Sequence, residues 1–536
     1  MMTRRASTFL QDCSGNLALL SAVAALPLLM AGGIAVDFTT LSRTRVELQQ
    51  AMDTASLAVA REGAGISDAR ATQIAADLLT GNFGITYSNM RVRREGTKVT
   101  IDAVSMTPLA FGNLFGYEKW PVVATSAADT ATAKYELALV LDTTGSMKGG
   151  KLASMKEAVT GMIEQMSSQV DDPTHLKYAV VPFANFVNVG AHYAPHYDAK
   201  GKRIKGSGAA WLDLDGKSPV PQVELMPGLS RFQLFNHLGE EWAGCVETRV
   251  PSKKGAHDVA DTPAKKSDKK SLFVPAFSID EPDSRGYSNS YIASPADPLD
   301  NSPAGKTKKL LKYGLPISLV GDLVAGILPD DDEEQDSELW GSVETDDSGA
   351  RGPNQACVTQ PLMPLNSDYD AILAKVNSLE ANGTTNIMEG VAWGQRVLSP
   401  GEPFTEGTDR ARSGVEKVMI VLTDGANVFG NRDVGLKSSY SSHGYLVDGR
   451  LGITGGSSSD TNSLMNEKTL AACETAKAEG TVIYTIRLEE PDVATGTMLQ
   501  QCATSPAHYF DAPSRSQLDE VFRSINSRVV KLRIAS

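Results

Sequence analysis

Three short segments carry side chains that could do chemistry together. They are Asp142-Thr143-Thr144-Gly145-Ser146, Gly383-Thr384-Thr385-Asn386 and Thr423-Asp424-Gly425. Alternate residues of an extended segment point the same way, so Asp142, Thr144 and Ser146 can converge on one point. Their oxygens are hard donors, while Gly383-Thr384-Thr385-Asn386 opens a helix and Asp424 ends a strand, so all three segments lie where an α/β sheet presents its carboxyl edge. Such donors suit Mg²⁺, which demands octahedral geometry and keeps several waters, with Mn²⁺ or Ca²⁺ as alternative ions. No Ser/His/Asp or Cys/His set is placed to activate a nucleophile, so the chain reads as non-enzymatic. His508, just before Tyr509-Phe510-Asp511, reads as a structural strand residue.

These donors need elements that end where they begin. Leu137–Leu141 is a short, wholly apolar run ending in Asp142, as expected of a parallel strand covered on both faces. Residues 149–168 follow as a helix with Leu152, Met155, Ala158, Met162 and Met166 inward. Tyr178–Val181, Val418–Leu422 and Val482–Ile486 are further buried strands, the last preceded by a helix over 466–479. A final helix over about 516–530 carries Leu518, Val521, Phe522 and Ile525 on one face, with Ser516 and Asp519 as its capping pair. Strands alternating with helices predict a doubly wound, mostly parallel, Rossmann-like α/β sheet, with ligands outside the carboxyl ends of the strands. Residues 190–365 interrupt the alternation as a large insertion. Its Lys-rich stretch (Lys253, Lys254, Lys265, Lys266, Lys269, Lys270) and acidic run from Asp330 to Asp336 read as solvated loop.

Upstream, Leu17–Val36 is a run of twenty residues without a charge, preceded by Arg4 and Arg5 and followed by Asp37. At 1.5 Å per residue it spans about 30 Å, enough for a bilayer core. The positive-inside rule leaves the N-terminus in the cytoplasm and exports the rest. The competing reading is a cleaved signal peptide, with Ala31, Gly32 and Gly33 as the small residues. Residues 37–61 and 67–80 have helical spacing, and Met90–Ala103 and Val122–Ala127 alternate like strands. Three regions are expected: 1–36 as cytoplasmic tip and anchor, 37–131 as a small α+β module, and 132–536 as the sheet domain with its insertion.

The formal charge of −13 argues against a dominant electrostatic grip on nucleic acid. Hydrophobic residues at 41% and charged residues at 21% exclude a wholly disordered chain. The five cysteines, Cys13, Cys245, Cys357, Cys473 and Cys502, lack zinc-site spacing. Four in the C-terminal part fit two disulfides in an oxidising compartment, against buried free thiols as the alternative.

Asp-x-Thr-x-Ser, a later Gly-Thr-Thr-Asn and Thr-Asp-Gly, in this order, resemble the von Willebrand factor type A domain with its metal-ion-dependent adhesion site. The resemblance covers about 135–190 and 365–530, and the family usually has Ser where this chain has Thr144. It implies that Thr144, Ser146 and Thr385 present hydroxyls to the ion, and that Asp142 and Asp424 contribute carboxylates, partly through water. Thr385 is taken over Thr384 because it directly precedes Asn386. Asp12-x-x-Gly15-Asn16, the apolar span, Ala35-Val36-Asp37 and Leu48-Gln-Gln-Ala51-x-Asp53-x-Ala55 are similar to the TadE/TadG-like proteins of tight-adherence (Flp) pilus assembly. Trp242-Ala-Gly-Cys245-Val-Glu247 and the Ala392-Trp393-Gly394 helix resemble the long members of that group, and the likeness implies the pairings Cys473–Cys502 and Cys245–Cys357. Pilin-like members carry a Glu a few residues into the apolar run, which Leu19-Leu20-Ser21 lacks.

The two resemblances imply a single-pass protein of the bacterial inner membrane. Its exported domain would use Mg²⁺ to engage an acidic residue of a protein partner, among them pilus-assembly components. A structural anchor of the pilus machinery without functional metal is the alternative. Gly145-x4-Gly150-Lys151 nearly matches a phosphate-binding loop, but Leu152 stands where its Mg²⁺-binding hydroxyl belongs. Asp142 and Asp424 could also serve only as helix caps.

Overall fold

The computed structural model describes residues 14–62, 66–83, 86–95, 98–129, 134–170, 172–225, 228–250, 259–281, 289–292, 312–313, 343–346, 351–409, 414–433 and 435–535. Lys253, Lys254, Cys13 and the acidic run from Asp330 to Asp336 lie outside them. The chain divides into two compact units, Met1–Thr132 and Ala133–Ser536.

In the first unit, helix α1 (Ser14–Arg61) is unbroken, so the apolar run and the helix expected after Asp37 are one element. Pro27 lies inside it. Helix α2 (Asp68–Phe83) follows, then strands β1 (Ser88–Glu95), β2 (Lys98–Pro108) and β3 (Lys119–Asp129) in an antiparallel sheet ordered β1-β2-β3. Val99, Ile101 and Ala103 alternate inward along β2 and meet Leu48, Met52, Ala55 and Val59 of α1. That period-two pattern against a helical stripe is what buries a one-sided sheet. β2 pairs with β3 from Lys98↔Asp129 to Pro108↔Lys119, and a short 3-10 turn (Gly112–Phe115) lies in their connection.

The second unit is built on a six-stranded sheet. Its elements run β4 (Lys134–Asp142), α3 (Gly150–Ser167), β5 (Leu176–Phe183), α4 (Arg231–Leu238), β6 (Val246–Glu247), β7 (Val274–Pro275), β8 (Met363–Asn366), α5 (Tyr369–Asn377), α6 (Ile387–Leu398), β9 (Val415–Thr423), α7 (Ser458–Ala478), β10 (Val482–Leu488), α8 (Val493–Cys502), β11 (Tyr509–Ala512) and α9 (Leu518–Ala535). The sheet order is β11-β10-β9-β4-β5-β8. All pairings are parallel except β5 with the short edge strand β8.

The apolar run of β4 follows from helices on both faces. Leu137, Leu139 and Leu141 pack with α3, α5 and α9, while Ala138 and Val140 face α6, α7 and α8. The insertion is more than loop: Trp211, Phe232, Phe235, Trp242, Phe273 and Phe277 join the core on the α6 side. Lys265, Lys266, Lys269 and Lys270 are exposed, as a solvated stretch should be. Disulfides join Cys245 to Cys357 and Cys473 to Cys502, the pairings the family likeness implied.

Three local expectations need correction. Helix α7 starts at Ser458, not 466, because Ser457 and Asp460 form a capping box ahead of it. The Ser516/Asp519 cap expected of the last helix is replaced by Ser514 and Gln517, which cap a 3-10 turn over Arg515–Gln517. His508 closes a 3-10 turn (Pro506–His508) rather than lying in a strand, with Pro506 opening that turn and the strand beginning at Tyr509.

Candidate metal centre

β4 and β9 are neighbours paired in parallel up to Leu141↔Leu422. Their carboxyl ends therefore deliver Asp142 and Asp424 to the same edge of the sheet. The third segment arrives through backbone hydrogen bonds: Gly145 N–H donates to the Gly383 carbonyl (2.9 Å) and Asn382 N–H to that of Thr143 (2.8 Å). Gly383 takes φ +85°, a conformation that favours glycine, and so turns the chain into α6. Asn386 caps that helix, accepting from Glu389 N–H.

The five expected donors come together. Thr385 Oγ1 lies 3.3 Å from Thr144 Oγ1, and Thr144 Oγ1 lies 3.0 Å from Ser146 Oγ. Ser146 Oγ donates to Asp424 Oδ1 at 2.6 Å. Asp142 accepts from Thr144 N–H at Oδ1 (2.8 Å) and from Thr423 Oγ1 at Oδ2 (2.6 Å). Asp142, Thr144, Thr385 and Asp424 are buried, whereas Ser146 is exposed, so the cluster opens to solvent on the Ser146 side. Thr384, the alternative to Thr385, is exposed and held by its N–H on Asn185 Oδ1.

Burial, and after it the charge of Asp424, pushes the Asp142 carboxyl up to about 6 despite the hydrogen bonds it accepts. A nearby cation would relieve that cost. Two side chains to which the sequence assigned no role at the carboxylates bear on it. Lys151 places Nζ 2.8 Å from Asp424 Oδ2, and Thr423 holds the second oxygen of Asp142. The sequence did single out Lys151, but as part of a phosphate-loop pattern.

The donor set fits a hard divalent cation on two observations, the oxygen donors and the space at Gly425. The donors are all oxygens, two of them carboxylates. The Lys151 ammonium beside Asp424 works against an ion, since it already compensates that carboxylate. Gly425 leaves open a cradle that a side chain would fill, since a Cβ there would lie 3.2 Å from Thr385 Oγ1 and 3.6 Å from Ser146 Oγ. Among the described residues no group of three or more His, Cys, Asp or Glu side chains could hold a metal, so any site here depends on the hydroxyls.

Comparison with known proteins gives one family match. The model described as putative Flp pilus-assembly TadE/G-like matches residues 15–62. A search of curated proteins finds no match. Among solved structures, the von Willebrand factor domain of the type V pili tip protein Mfa5 from Porphyromonas gingivalis is 9% identical, covering 74% of this chain and 96% of its own, with a TM-score of 0.32. The pilus adhesin SpaC from Lactobacillus rhamnosus GG is 11% identical over 83% of this chain, at TM-score 0.32, and this chain spans 33% of it. The PilB minor pilin from Streptococcus sanguinis is 10% identical over 83% of this chain and 78% of its own, at TM-score 0.31. Likenesses this distant decide nothing about the site. The TadE/G-like resemblance read from the N-terminal residues is borne out over 15–62.

Proposed function

We propose that the second unit is a von Willebrand factor type A-like domain that binds a protein partner through a divalent cation, preferably Mg²⁺. The observation that carries this reading is the meeting of Asp142, Thr144, Ser146, Thr385 and Asp424 at the adjoining ends of β4 and β9. In it, Thr144, Ser146 and Thr385 hold the ion with neutral oxygens, and Asp142 and Asp424 balance its charge. The bound ion would supply Lewis acidity to an anionic oxygen. Because Mg²⁺ retains exchangeable waters, an Asp or Glu carboxylate of the partner is the group that fits.

The TadE/G-like segment supports placing this activity in pilus assembly or adhesion. Helix α1 is long and apolar enough to cross a membrane, a test that a signal sequence also passes. We read it as a single-pass inner-membrane anchor with the C-terminal part in the periplasm or envelope. The second reading, a structural anchor that uses no metal, draws on Lys151, whose ammonium compensates Asp424 without an ion.

The experiment is capture of partners from envelope extracts by the full chain, wild type and Asp142→Ala, each with Mg²⁺ or with chelator. Recovery of a partner by wild type in Mg²⁺ alone supports the metal-dependent reading. Equal recovery in all four conditions leaves the structural anchor.

A further inference from the structure

The connection between β2 and β3 exposes an unusual amount of apolar surface for so short a segment. Leu114 is 69% exposed and Phe115 48%, and Phe111, Tyr117 and, at the start of β3, Trp120 are also exposed. Tyr117 and Trp120 meet edge to face, with centroids 5.4 Å apart. Nothing in the three-stranded core needs these residues, whose inward positions end at Thr107 on β2 and Val122 on β3.

Their place in the fold says what could cover them. Asp37, the first charge after the apolar run, accepts hydrogen bonds from the backbone of this connection. Ala110 N–H reaches Oδ1 at 2.7 Å, and Phe111 N–H reaches Oδ2 at 3.0 Å. One turn earlier, Gly33 lies so close to Phe111 that a Cβ on it would be 2.7 Å from the ring Cγ. The connection is thus fastened to α1 where its apolar run ends. Leu28, Met30, Ile34 and Val36 are exposed around the same stretch of the helix.

We infer that the β2–β3 connection is a second membrane contact, seated in the interfacial layer of the leaflet beside α1. This rests on reading α1 as a membrane anchor. Trp and Tyr favour the headgroup level, where a ring has one apolar and one wet side, while Phe111, Leu114 and Phe115 suit the acyl boundary. Lys119, exposed at the start of β3, can keep its ammonium at the headgroups while its stem lies along apolar surface. The Asp37 carboxylate, satisfied by two backbone N–H groups, would mark the boundary between lipid and water.

The test uses the full chain with Cys13→Ser, both disulfides intact, reconstituted in phospholipid nanodiscs. Single cysteines at Leu114→Cys, Leu28→Cys and Lys98→Cys carry an environment-sensitive fluorophore. Quenching is read with lipids spin-labelled near the headgroup or deep in the acyl chain, and with aqueous iodide. The inference expects position 114 to be quenched about twofold more by the shallow label than by the deep one, and shielded from iodide. Position 28 should favour the deep label, and position 98 should respond to iodide alone. Iodide quenching at 114 equal to that at 98, with 28 still quenched by lipid, would overturn the interfacial contact and leave the anchor. Shielding of 114 only after adding envelope extract, without lipid quenching, would overturn it in favour of a protein-docking face. Absence of lipid quenching at 28 would remove the anchor and this inference together.

Discussion

Two buried acidic centres in the second unit show opposite electrostatic solutions. Glu247, in the insertion, is closed on all sides. Arg231 Nη1 lies 2.6 Å from Oε1, Arg450 Nη1 lies 2.5 Å from Oε2, and Tyr440 donates to Oε1. Burial alone would raise its carboxyl, but the two guanidiniums outweigh that and hold it below the ordinary range. Asp142 has two hydrogen-bond donors and a carboxylate neighbour, and is pushed up to about 6. The first centre has its charge balanced from within the chain. The second is compensated in part, by Lys151 beside Asp424, and has an opening at Ser146 and a cradle at Gly425, the features on which the proposed cation site rests.

Breaking each centre should therefore have opposite consequences. Glu247→Gln would leave Arg231 and Arg450 buried without their counter-charge and should destabilise the second unit by about 3–5 kcal/mol. Denaturant unfolding of the full chain in detergent measures this, and a change below about 1 kcal/mol would mean the network is not closed as described.

Lys151→Met sharpens the comparison from the open side. It removes the ammonium that occupies Asp424 Oδ2 and repels an incoming cation, so Mg²⁺ should bind about tenfold tighter, worth about 1.4 kcal/mol. Weaker binding by calorimetric titration would instead make Lys151 part of the site's architecture.

Asp142→Asn should leave the fold in chelator within about 1 kcal/mol of wild type. Its amide can still accept from Thr144 N–H, and the Thr423 hydroxyl can turn from donor to acceptor. A loss on the scale expected for Glu247→Gln would place Asp142 among the structural acids.

The smallest effect concerns Asp448, raised to about 6 chiefly by burial and secondarily by the charge of Glu247. Its folded value exceeds the unfolded one, near 3.9, so the folded state binds that proton more tightly. The group's contribution is fully unfavourable above about pH 6 and is relieved as the pH falls toward 4. Asp448→Asn should flatten that part of the stability profile, and unchanged thermal midpoints across the window would show that Asp448 is better compensated than its position implies.

Much of the open centre was legible because it is local. An apolar strand ending in Asp, and a second ending in Thr-Asp-Gly, both follow from burial on two faces, and parallel pairing brings their ends together without further information. Glu247 stood in the Trp242–Glu247 motif, but its charge network was not legible because its partners lie at 231, 440 and 450, and no local period links them. Lys151 was noticed for the wrong chemistry, since Gly-Gly-Lys reads as a phosphate loop until Asp424 is seen beside it. The unbroken helix through Asp37 was misjudged because a charge after an apolar run looks like a boundary. No Pro or Gly interrupts residues 37–61, and a carboxylate satisfied by Ala110 and Phe111 can stay in the helix.

The most direct measurement is calorimetric titration of Mg²⁺ into the full chain in detergent, wild type beside Asp142→Asn, with unfolding curves to show that both are folded. A single saturable ion on wild type and none on Asp142→Asn is the expected result. Titrations of the two proteins that cannot be told apart would contradict the metal centre and leave Lys151 and Asp424 as an ordinary structural pair.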